Sequence, residues 1–443
     1  MHAEPNADTQ RAAPPAPLIA LLTFGTGGDL QPFLTLAEGL QRRGRRTLLI
    51  VPKFHEERVQ GTGLAYLPFG THEQSQSVLA DPDLWDERKG FGVVWRGVLP
   101  SVDALQDLLV SAAGAGPCIV VSHPFLVPVA AMAREQSPAL RIVGAYLAPS
   151  SLRTVHDPLT IGSLNLPSWV PVAWRRALWR LIDRRWIDPD LLPGLNAARA
   201  GRGLEAVPSF LDHMQSACDA SIGLFPSWFA HRQPDWPLTF HEGQFPLRPP
   251  SRSLRLSAEL ESFLAAGEAP IVLTPGTGHR HAARLFRDAL SALRALGRRG
   301  LFITPYPEQL PAPLPPEVLW QSHVPFDALL PRAAMLVHHG GIGTTAEALR
   351  AGIPQLILPF AFDQFDNGQR IQRLGAGLVV PASRASARRL RQAIAALLAR
   401  PVSGPTKSPA FERDTDRELE KLLDSVECAL ASANRLEARQ TAA

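Results

Sequence analysis

The chain has 443 residues, of which 45% are hydrophobic and 19% are charged, and its formal net charge at pH 7 is +4. These values exclude a disordered protein, and the length favours two domains of about 200 residues each over a single core. Because the arginines are spread along the chain without a basic block, the composition gives no indication of nucleic-acid binding.

The cysteines and the apolar runs indicate the class of protein. Cys118, Cys218 and Cys428 are far apart and lack metal-site spacing, so we expect free thiols in a reducing cytoplasm. No apolar run reaches the roughly 18 residues of a membrane-spanning helix. Residues 1–16 are rich in alanine and proline, and we expect a disordered tail there rather than a signal peptide.

The first half of the chain alternates between apolar runs and helical patterns. The strands are expected at residues 18–24, 46–51, 118–121 and 141–146. A glycine loop over residues 25–29 separates the first strand from a helix expected between Leu30 and about Arg43. This alternation is typical of parallel βαβ units, which predicts an α/β domain.

A second α/β series follows a segment that contains Pro246, Pro249 and Pro250. Its strands are expected at residues 271–274, 301–304, 335–338 and 355–358, with a helix over residues 281–296. A polar amphipathic helix is expected over residues 411–433. The predicted organisation is a tail (1–16), a first domain (17–239), a linker (240–262), a second domain (263–410) and a terminal helix with its tail (411–443).

One segment of the second domain indicates a ligand. The run from His338 to Glu347, HHGGIGTTAE, follows a predicted strand and leads into a helix expected from Thr344. Glycines let the backbone approach a ligand closely, and the free N–H groups of a helix N-terminus favour a phosphate. The next strand delivers Asp363 and Gln364 to the same edge of the sheet, where α/β folds bind ligands. The pattern predicts a diphosphate site beside a polar clamp.

This block resembles the donor-sugar motif of the inverting glycosyltransferases of the UDP-glycosyltransferase superfamily (glycosyltransferase family 1). The resemblance extends over nearly the whole chain and implies the GT-B fold, in which two Rossmann-like domains face each other across a cleft. Residues 81–86, 91–95 and 224–230 further resemble the second-enzyme rhamnosyltransferases of bacterial rhamnolipid synthesis. In the resembled fold, the terminal helix crosses back onto the first domain.

The resemblance implies a role for each residue of the donor site. Thr277 and Gly278 would contact the donor phosphates, although a plain turn is the alternative. His323 and Val324 would bind the nucleobase, and Glu347, unless it is a surface carboxylate, would bind the ribose. Asp363 and Gln364, assisted by Asn367, would hold the sugar hydroxyls. The diphosphate would be held by His339, Gly341, Gly343 and Thr344.

Asp29 is the candidate catalytic base. The loop before it lacks the third glycine of a dinucleotide fingerprint, because residue 30 is leucine. In the resembled superfamily this position holds the group that takes the proton of the acceptor hydroxyl, and burial would have to raise the pKa of an aspartate for that purpose. The alternative is that Asp29 is the N-cap of the following helix. If Asp29 is not the base, His123 and His156 are the next candidates.

No metal and no cofactor are expected, since the nucleoside diphosphate sugar is a co-substrate. Asp81-Pro82-Asp83 has the letters of a metal-binding D-x-D motif, but it lies between helical patterns rather than at a strand end. We therefore predict a metal-independent enzyme in which backbone N–H groups, His339 and hydroxyls meet the charge of the leaving group.

The basic, aromatic segment from Trp174 to Ile182 has three interpretations. Such a helix could rest on a membrane surface, line a lipophilic acceptor pocket, or pack as an ordinary helix with solvated arginines. The resemblance favours dTDP-L-rhamnose as donor and a hydroxy fatty-acid lipid as acceptor, with UDP-glucose and another lipophilic acceptor as the alternative. Rival functions are a nucleotide-sugar epimerase with this architecture and a non-catalytic activator subunit.

Overall fold

The computed structural model describes residues 16–114, 116–157, 160–248, 255–399 and 415–440. The predicted tail up to residue 15 and the linker prolines Pro249 and Pro250 lie outside these ranges. The structure contains two sheets of parallel strands, which confirms the predicted α/β fold class of two Rossmann-like domains.

The fifteen strands of the described residues are short and mostly buried. They are β1 (Leu18–Leu22), β2 (Thr47–Pro52), β3 (Tyr66–Phe69), β4 (Cys118–Ser122), β5 (Leu140–Tyr146), β6 (Thr160–Ile161), β7 (Leu164–Asn165), β8 (Ala220–Gly223), β9 (Phe240–Glu242), β10 (Ile271–Thr274), β11 (Gly300–Ile303), β12 (Val318–Gln321), β13 (Met335–His338), β14 (Gln355–Ile357) and β15 (Gly377–Val379).

The helices connect these strands and cover both faces of each sheet. They are α1 (Gly27–Arg42), α2 (Glu56–Gln60), α3 (His72–Ala80), α4 (Gly90–Val98), α5 (Val102–Gly114), α6 (Val127–Gln136), α7 (Val172–Ile182), α8 (Asp188–Gly201), α9 (Phe210–Ser216), α10 (Ala258–Ala265), α11 (Ala283–Leu296), α12 (Phe326–Leu329), α13 (Ile342–Ala351), α14 (Gln364–Arg373), α15 (Ala387–Leu398) and α16 (Thr415–Gln440).

Both large sheets have the strand order of a doubly wound fold. The first runs β3-β2-β1-β4-β5-β8-β9 and the second β12-β11-β10-β13-β14-β15. In each sheet the strand order reverses beside the first strand of the domain, β1 or β10. Ligands bind at the carboxyl ends of the strands at such a reversal. The loops after β1, β4, β10 and β13 are therefore the natural place for a site.

The predicted linker differs from the structure at both ends. Phe240–Glu242 pairs in parallel with Ala220–Gly223 as the edge strand of the first sheet. The physical reason is apolar packing, because Phe240 is buried and its ring centroid lies 4.8 Å from that of Trp236. Near the other end of the predicted linker, Ala258–Ala265 forms a helix.

The terminal helix α16 packs on the first domain. Leu422, Leu423 and Val426 are buried in the same cluster as the side chains of β1 and α1. Arg43 pairs with Glu420 at 2.6 Å, and Arg45 pairs with Glu427 at 2.6 Å. The helix thus packs on the first domain, as the resemblance implies.

An aromatic and aliphatic cluster lies between the two domains. Phe225 and Phe229 of the first domain are buried in one cluster with Leu349 and Ile357 of the second. Burial of apolar area stabilises by about 25 cal/mol per Å², so this cluster stabilises the contact between the two domains. The two domains therefore pack against each other beside the cleft.

Candidate active site

A cavity of about 1180 Å³ lies between the two domains at the carboxyl ends of both sheets. All twelve residues predicted for the site line it, namely Asp29, Thr277, Gly278, His323, Val324, His339, Gly341, Gly343, Thr344, Glu347, Asp363 and Gln364. The structure thus brings the candidate base and the candidate donor residues to one space, although Asp29 and His339 are about three hundred residues apart in the sequence.

Asp29 lies in the first turn of α1, not at its N-cap. The helix begins at Gly27 with Thr26 as N-cap, three residues before the predicted start at Leu30. The Oδ2 atom of Asp29 accepts a hydrogen bond from the Thr26 backbone N–H at 2.8 Å, which completes a capping box. The N-cap alternative is therefore wrong in its detail. The Oδ2 atom caps the helix, whereas the Oδ1 atom is not engaged by Thr26 and could accept a proton.

Two features of Asp29 suit a proton acceptor. Its side chain is 34% exposed, and that exposed part faces the cavity that Asp29 lines. Burial of the carboxyl group raises its pKa to about 6, and the hydrogen bonds from Thr26 oppose that rise. A carboxyl group with this pKa is ionised at neutral pH and is a stronger base than an ordinary aspartate.

His123 stands beside Asp29 in the first-domain wall. Its Nε2 atom lies 3.9 Å from Oδ1 of Asp29. Burial lowers its pKa to about 3, so the ring is neutral. Its Nδ1 accepts a hydrogen bond from the Phe125 N–H at 3.3 Å, which assigns the single ring proton to Nε2. His156, the other alternative base, is exposed and does not line the cavity.

His339 occupies the second-domain side of the cavity after β13. A Cβ built on Gly341 would lie 2.5 Å from its Nε2 atom, so only glycine lets the loop pass the ring this closely. Burial lowers the pKa of His339 to about 4. The neighbouring His338 has a structural role instead, because its Nε2 and Oε1 of Gln355 are 3.0 Å apart.

Helix α13 presents its N-terminus to the same space. It begins at Ile342, two residues before the predicted start at Thr344, and Gly341 is an N-cap without a side-chain hydrogen bond. Gly343 and Thr344 consequently belong to the first turn, where backbone N–H groups have no intrahelical acceptor. These N–H groups and the helix dipole favour an anion at this point of the cavity.

The sugar-side pair Asp363 and Gln364 is held by the second domain. The Asn367 side-chain amide donates to Asp363 Oδ2 at 2.7 Å and to the Gly340 carbonyl at 2.9 Å, which ties the carboxylate to the glycine turn. Burial, with a smaller contribution from the charge of Asp29, raises the pKa of Asp363 to about 7.

Gln364 has a structural role that the sequence did not indicate. Its Oε1 accepts hydrogen bonds from the backbone N–H groups of Phe360 at 2.8 Å and Ala361 at 3.3 Å. Only 2% of the residue is exposed. The side-chain oxygen therefore braces the loop, and the NH₂ group is what remains for a ligand.

The remaining donor-side residues lie farther along the cavity. Glu347 forms an ion pair with Arg350, and burial raises the pKa of Glu347 to about 6. His323 and Val324 follow β12, with His323 exposed and Val324 buried. Partial desolvation of its ring in the cleft, with a smaller contribution from the charge of Arg58, lowers the pKa of His323.

Arg58, which was not predicted from the sequence, reaches the donor side from the first domain. A Cβ built on Gly27 would lie 2.5 Å from Nη1 of Arg58 and 3.7 Å from Oγ1 of Thr277. Arg58 therefore stands in the cleft between the loop before Asp29 and the loop predicted to bind phosphates. No local motif surrounds Arg58, so the sequence carried no signal for it.

Phe362 was not predicted either, and it joins the sugar-side pair to the acceptor side. It is the non-glycine residue with a positive φ among the described residues, at 56°. Its ring centroid lies 5.4 Å from that of Phe91 and 5.8 Å from that of Trp85, both in the first domain. In the sequence, the only indication of a role for Phe362 in the site is its position directly before Asp363.

The two aspartates of the Asp81-Pro82-Asp83 segment bind to neighbouring residues. Asp81 Oδ1 accepts a hydrogen bond from the Asp83 N–H at 2.9 Å, and Lys89 pairs with Asp83 at 3.1 Å. Within the described ranges, no group of three or more acidic, histidine or cysteine side chains is arranged to hold a metal ion.

One wall of the first-domain part of the cavity is apolar. Its lining includes Phe91, Val94, Val98, Phe125, Leu211 and Met214. These side chains come from α4, α9 and the loop after β4, and they extend the cavity away from the glycine loops. Such a wall offers dispersion contacts and few hydrogen bonds, so it suits an apolar body rather than a second sugar or phosphate.

Comparisons with known proteins show the family to which the chain belongs. Residues 19–115 match the glycosyltransferase family 28 N-terminal domain, and residues 306–407 match the C-terminal domain of erythromycin biosynthesis protein CIII-like proteins. The O-mycaminosyltylonolide 6-deoxyallosyltransferase of Streptomyces fradiae is 30% identical over 416 residues, which cover 89% of this chain and 92% of that protein.

Solved structures show the same fold. The structure of the kitacinnamycin glycosyltransferase matches with a TM-score of 0.64 and 19% identity, and the match covers 96% of this chain and 100% of that one. The spinosyn rhamnosyltransferase SpnG complexed with thymidine diphosphate covers 95% of this chain with all of its own, at a TM-score of 0.57 and 18% identity. The chain therefore belongs to glycosyltransferase family 1, the GT-B fold members of the UDP-glycosyltransferase superfamily, and is a glycosyltransferase.

Proposed function

We propose that this glycosyltransferase transfers L-rhamnose from dTDP-L-rhamnose to a hydroxyl group of a lipophilic acceptor such as a hydroxy fatty-acid lipid, with inversion at the anomeric carbon. The observation that carries the proposal is the two-sided cavity. Asp29 and an apolar wall occupy the first-domain side, and the glycine loops, His339 and Asp363 occupy the other. One substrate of each chemical kind fits such a space.

The residues suggest how the transfer proceeds. The acceptor oxygen attacks the anomeric carbon as the bond to the diphosphate oxygen breaks, and the bonding electron pair leaves with the diphosphate. The acceptor proton passes to Oδ1 of Asp29. The N–H groups at the start of α13, together with His339 and Thr277, meet the charge that develops on the leaving group.

The choice of sugar and acceptor rests on a sequence resemblance, on two similar proteins and on the lining of the cavity. The segments at residues 81–86, 91–95 and 224–230 resemble rhamnolipid rhamnosyltransferases. The relative from Streptomyces fradiae is named for a 6-deoxyhexose, and the SpnG structure is titled as a rhamnosyltransferase with thymidine diphosphate. The apolar first-domain wall supports an acceptor with an acyl or other hydrophobic body.

The test is a donor and acceptor screen read by mass spectrometry. dTDP-L-rhamnose, dTDP-glucose and UDP-glucose are each offered with a hydroxyalkanoyl lipid and with a water-soluble alcohol, in the presence of EDTA. We expect product from dTDP-L-rhamnose and the lipid without added metal. Product from UDP-glucose alone would overturn the proposed donor. Turnover of the water-soluble alcohol alone would overturn the proposed acceptor. A strict need for Mg²⁺ or Mn²⁺ would overturn the metal-free mechanism.

A further inference from the structure

An apolar surface lies beside the cavity on the first domain. Among the described residues, eight large hydrophobic side chains are exposed, and six of them lie between residues 164 and 186. These six are Leu164, Trp169, Val172, Trp174, Leu181 and Trp186. Trp169 is 80% exposed and Trp174 is 73% exposed. Scattered exposed apolar residues are ordinary in soluble proteins, but a concentration of this kind indicates an interaction site.

Within residues 160–187 the exposed charges have one sign, and exposed Glu87 accepts a hydrogen bond from the Ser163 N–H at 3.0 Å at the edge of this segment. Arg176, Arg180, Arg184 and Arg185 are all exposed. The acidic residue of this segment, Asp183, is 5% exposed and forms an ion pair with Arg153. The exposed charge of residues 160–187 is therefore entirely positive, and it is complementary to an anionic partner.

Helix α7 carries apolar and basic side chains on its exposed half. Trp174 and Leu181 are seven residues apart, so they share one face two turns apart. Arg176 and Arg180, four residues apart, form a second exposed row, roughly 110–150° around the helix axis from the first. Arg175 points inward instead and donates hydrogen bonds to the carbonyls of Val170 at 2.8 Å and Val155 at 2.9 Å. These bonds attach the helix to the preceding loop, so the loop and the helix form one surface.

The same segment also lines the cavity. Leu164 and Trp186 are both exposed and part of the cavity lining, and Trp179, Ile182 and Ile187 contribute to the lining from the inner side of the helix. The apolar surface is thus continuous with the apolar wall of the first domain. Leu164 and Trp186 offer apolar contacts to a hydrophobic molecule at the rim of the cavity, where the Arg88 guanidinium lies 5.0 Å from the centroid of the Trp186 ring.

We propose that the Trp174 surface, formed by those six apolar side chains and the four exposed arginines, docks on an anionic lipid bilayer, from which the acceptor enters the cavity. Tryptophan rings favour the boundary between head groups and acyl chains, and arginines extend their guanidinium groups to the lipid phosphates. Among the described residues no helix is long and apolar enough to cross a bilayer, so contact through α7 is a surface attachment. The entry of the acceptor rests on the proposed function, whereas the docking does not.

The docking is tested without any substrate. The full chain is sedimented with vesicles of phosphatidylcholine alone and with vesicles of phosphatidylcholine and phosphatidylglycerol in equal parts. We expect binding to the anionic vesicles that weakens as salt is raised. Each arginine contributes roughly fivefold to binding at an anionic surface, so Arg176→Gln/Arg180→Gln should weaken binding roughly 30-fold. Trp174→Ser/Leu181→Ser should lower binding to both vesicle types.

Matched controls lie elsewhere on the chain. Leu238 is 93% exposed and outside the surface, and Arg388 and Arg391 are exposed on α15. Leu238→Ser and Arg388→Gln/Arg391→Gln should bind the vesicles as the unaltered protein does. Equal loss in the controls, or no binding of the unaltered protein to anionic vesicles, would overturn the docking. So would a self-association in sedimentation velocity that Trp174→Ser/Leu181→Ser abolishes, because the surface would then bind a second copy of the chain.

A kinetic assay tests the entry of the acceptor separately. With the hydroxyalkanoyl lipid embedded in anionic vesicles, Trp174→Ser/Leu181→Ser should raise the KM for the lipid and leave nucleotide binding and the kcat in detergent solution unchanged. An unchanged KM in vesicles would refute entry from the bilayer even if docking is observed. Failure of the screen with the lipid acceptor, together with normal vesicle binding, would refute the proposed acceptor and leave the docking intact.

Discussion

The Nε2 atom of His123 lies 3.9 Å from Oδ1 of Asp29, and its Nδ1 atom accepts a hydrogen bond from the Phe125 backbone. The imidazole is neutral because burial lowers its pKa to about 3. It therefore directs an N–H group, not a lone pair, toward the carboxylate. This arrangement supports the proposal that Asp29, rather than His123, takes the acceptor proton.

Asp29→Asn should separate catalysis from binding. The amide keeps the shape of the side chain and an oxygen for the Thr26 N–H, but it cannot accept the acceptor proton. We expect kcat to fall by roughly 10²–10⁴-fold, with unchanged affinity for dTDP in calorimetric titration. Near-normal kcat would leave Asp29 as a capping-box residue only.

The pH dependence of the reaction should follow the carboxyl groups of the cavity. Burial raises the pKa of Asp29 to about 6, so kcat/KM should increase as pH rises through about 6, where the base becomes ionised. Asp363→Asn should retain this limb and lose any further change near pH 7, where Asp363 titrates.

The raised pKa values of Asp29 and Asp363 also predict how the stability of the fold changes with pH. With raised pKa values, both carboxyl groups hold more protons in the folded chain than in the unfolded chain between about pH 4 and 7, so their contribution to stability decreases as pH rises through that window. Asp29→Asn should therefore have a higher Tm than the unaltered protein at pH 8 and no such advantage at pH 4. A lower Tm at pH 8 would contradict the burial of its charge.

His339→Ala should weaken the binding of the diphosphate. Loss of a hydrogen-bond donor to a charged group costs on the order of 1.5–3 kcal/mol, or about 10- to 150-fold in Kd for dTDP. His281→Ala is the control, because His281 is exposed and does not line the cavity. Equal Kd values for the two variants would remove His339 from the diphosphate site.

Asp363→Ala and Gln364→Ala should have different consequences. Asp363→Ala removes a carboxylate from the cavity and should lower kcat/KM for the donor by on the order of 1–3 kcal/mol in transition-state binding with little change in Tm. Gln364→Ala should lower Tm as well, since the N–H groups of Phe360 and Ala361 lose their acceptor. An unchanged kcat/KM in both variants, with folding verified by circular dichroism, would exclude the pair from sugar recognition.

Arg58→Gln should weaken the binding of dTDP but not of thymidine. The guanidinium stands near Thr277 and is exposed to solvent, so screening limits its contribution to about 1 kcal/mol, or roughly fivefold in Kd. Arg388→Gln removes an equally exposed arginine far from the cavity and should change neither affinity. Parallel losses for dTDP and thymidine would assign Arg58 to the nucleoside rather than to the phosphates.

The sequence by itself determined the fold class and the candidate donor block. Strands, glycine turns and helix starts are local features, because the pattern of apolar residues and the freedom of glycine act over a few residues. For that reason the strand before His339, the glycine turn and the Asp363–Gln364 pair were predicted within two or three residues of their observed bounds. The family resemblance followed from the same local motifs, and the comparisons confirm it.

Only the tertiary structure decided which groups meet and which are already engaged. Residues that are distant in sequence meet in three places: Arg58 lies beside Gly27 in the cleft, His123 lies near Asp29, and Phe362 packs against Phe91. The bracing of the Phe360 loop by Gln364 depends on a backbone path that no residue pattern specifies. The physical reason is that such contacts depend on how whole domains pack, and packing is determined by the fit of many side chains together.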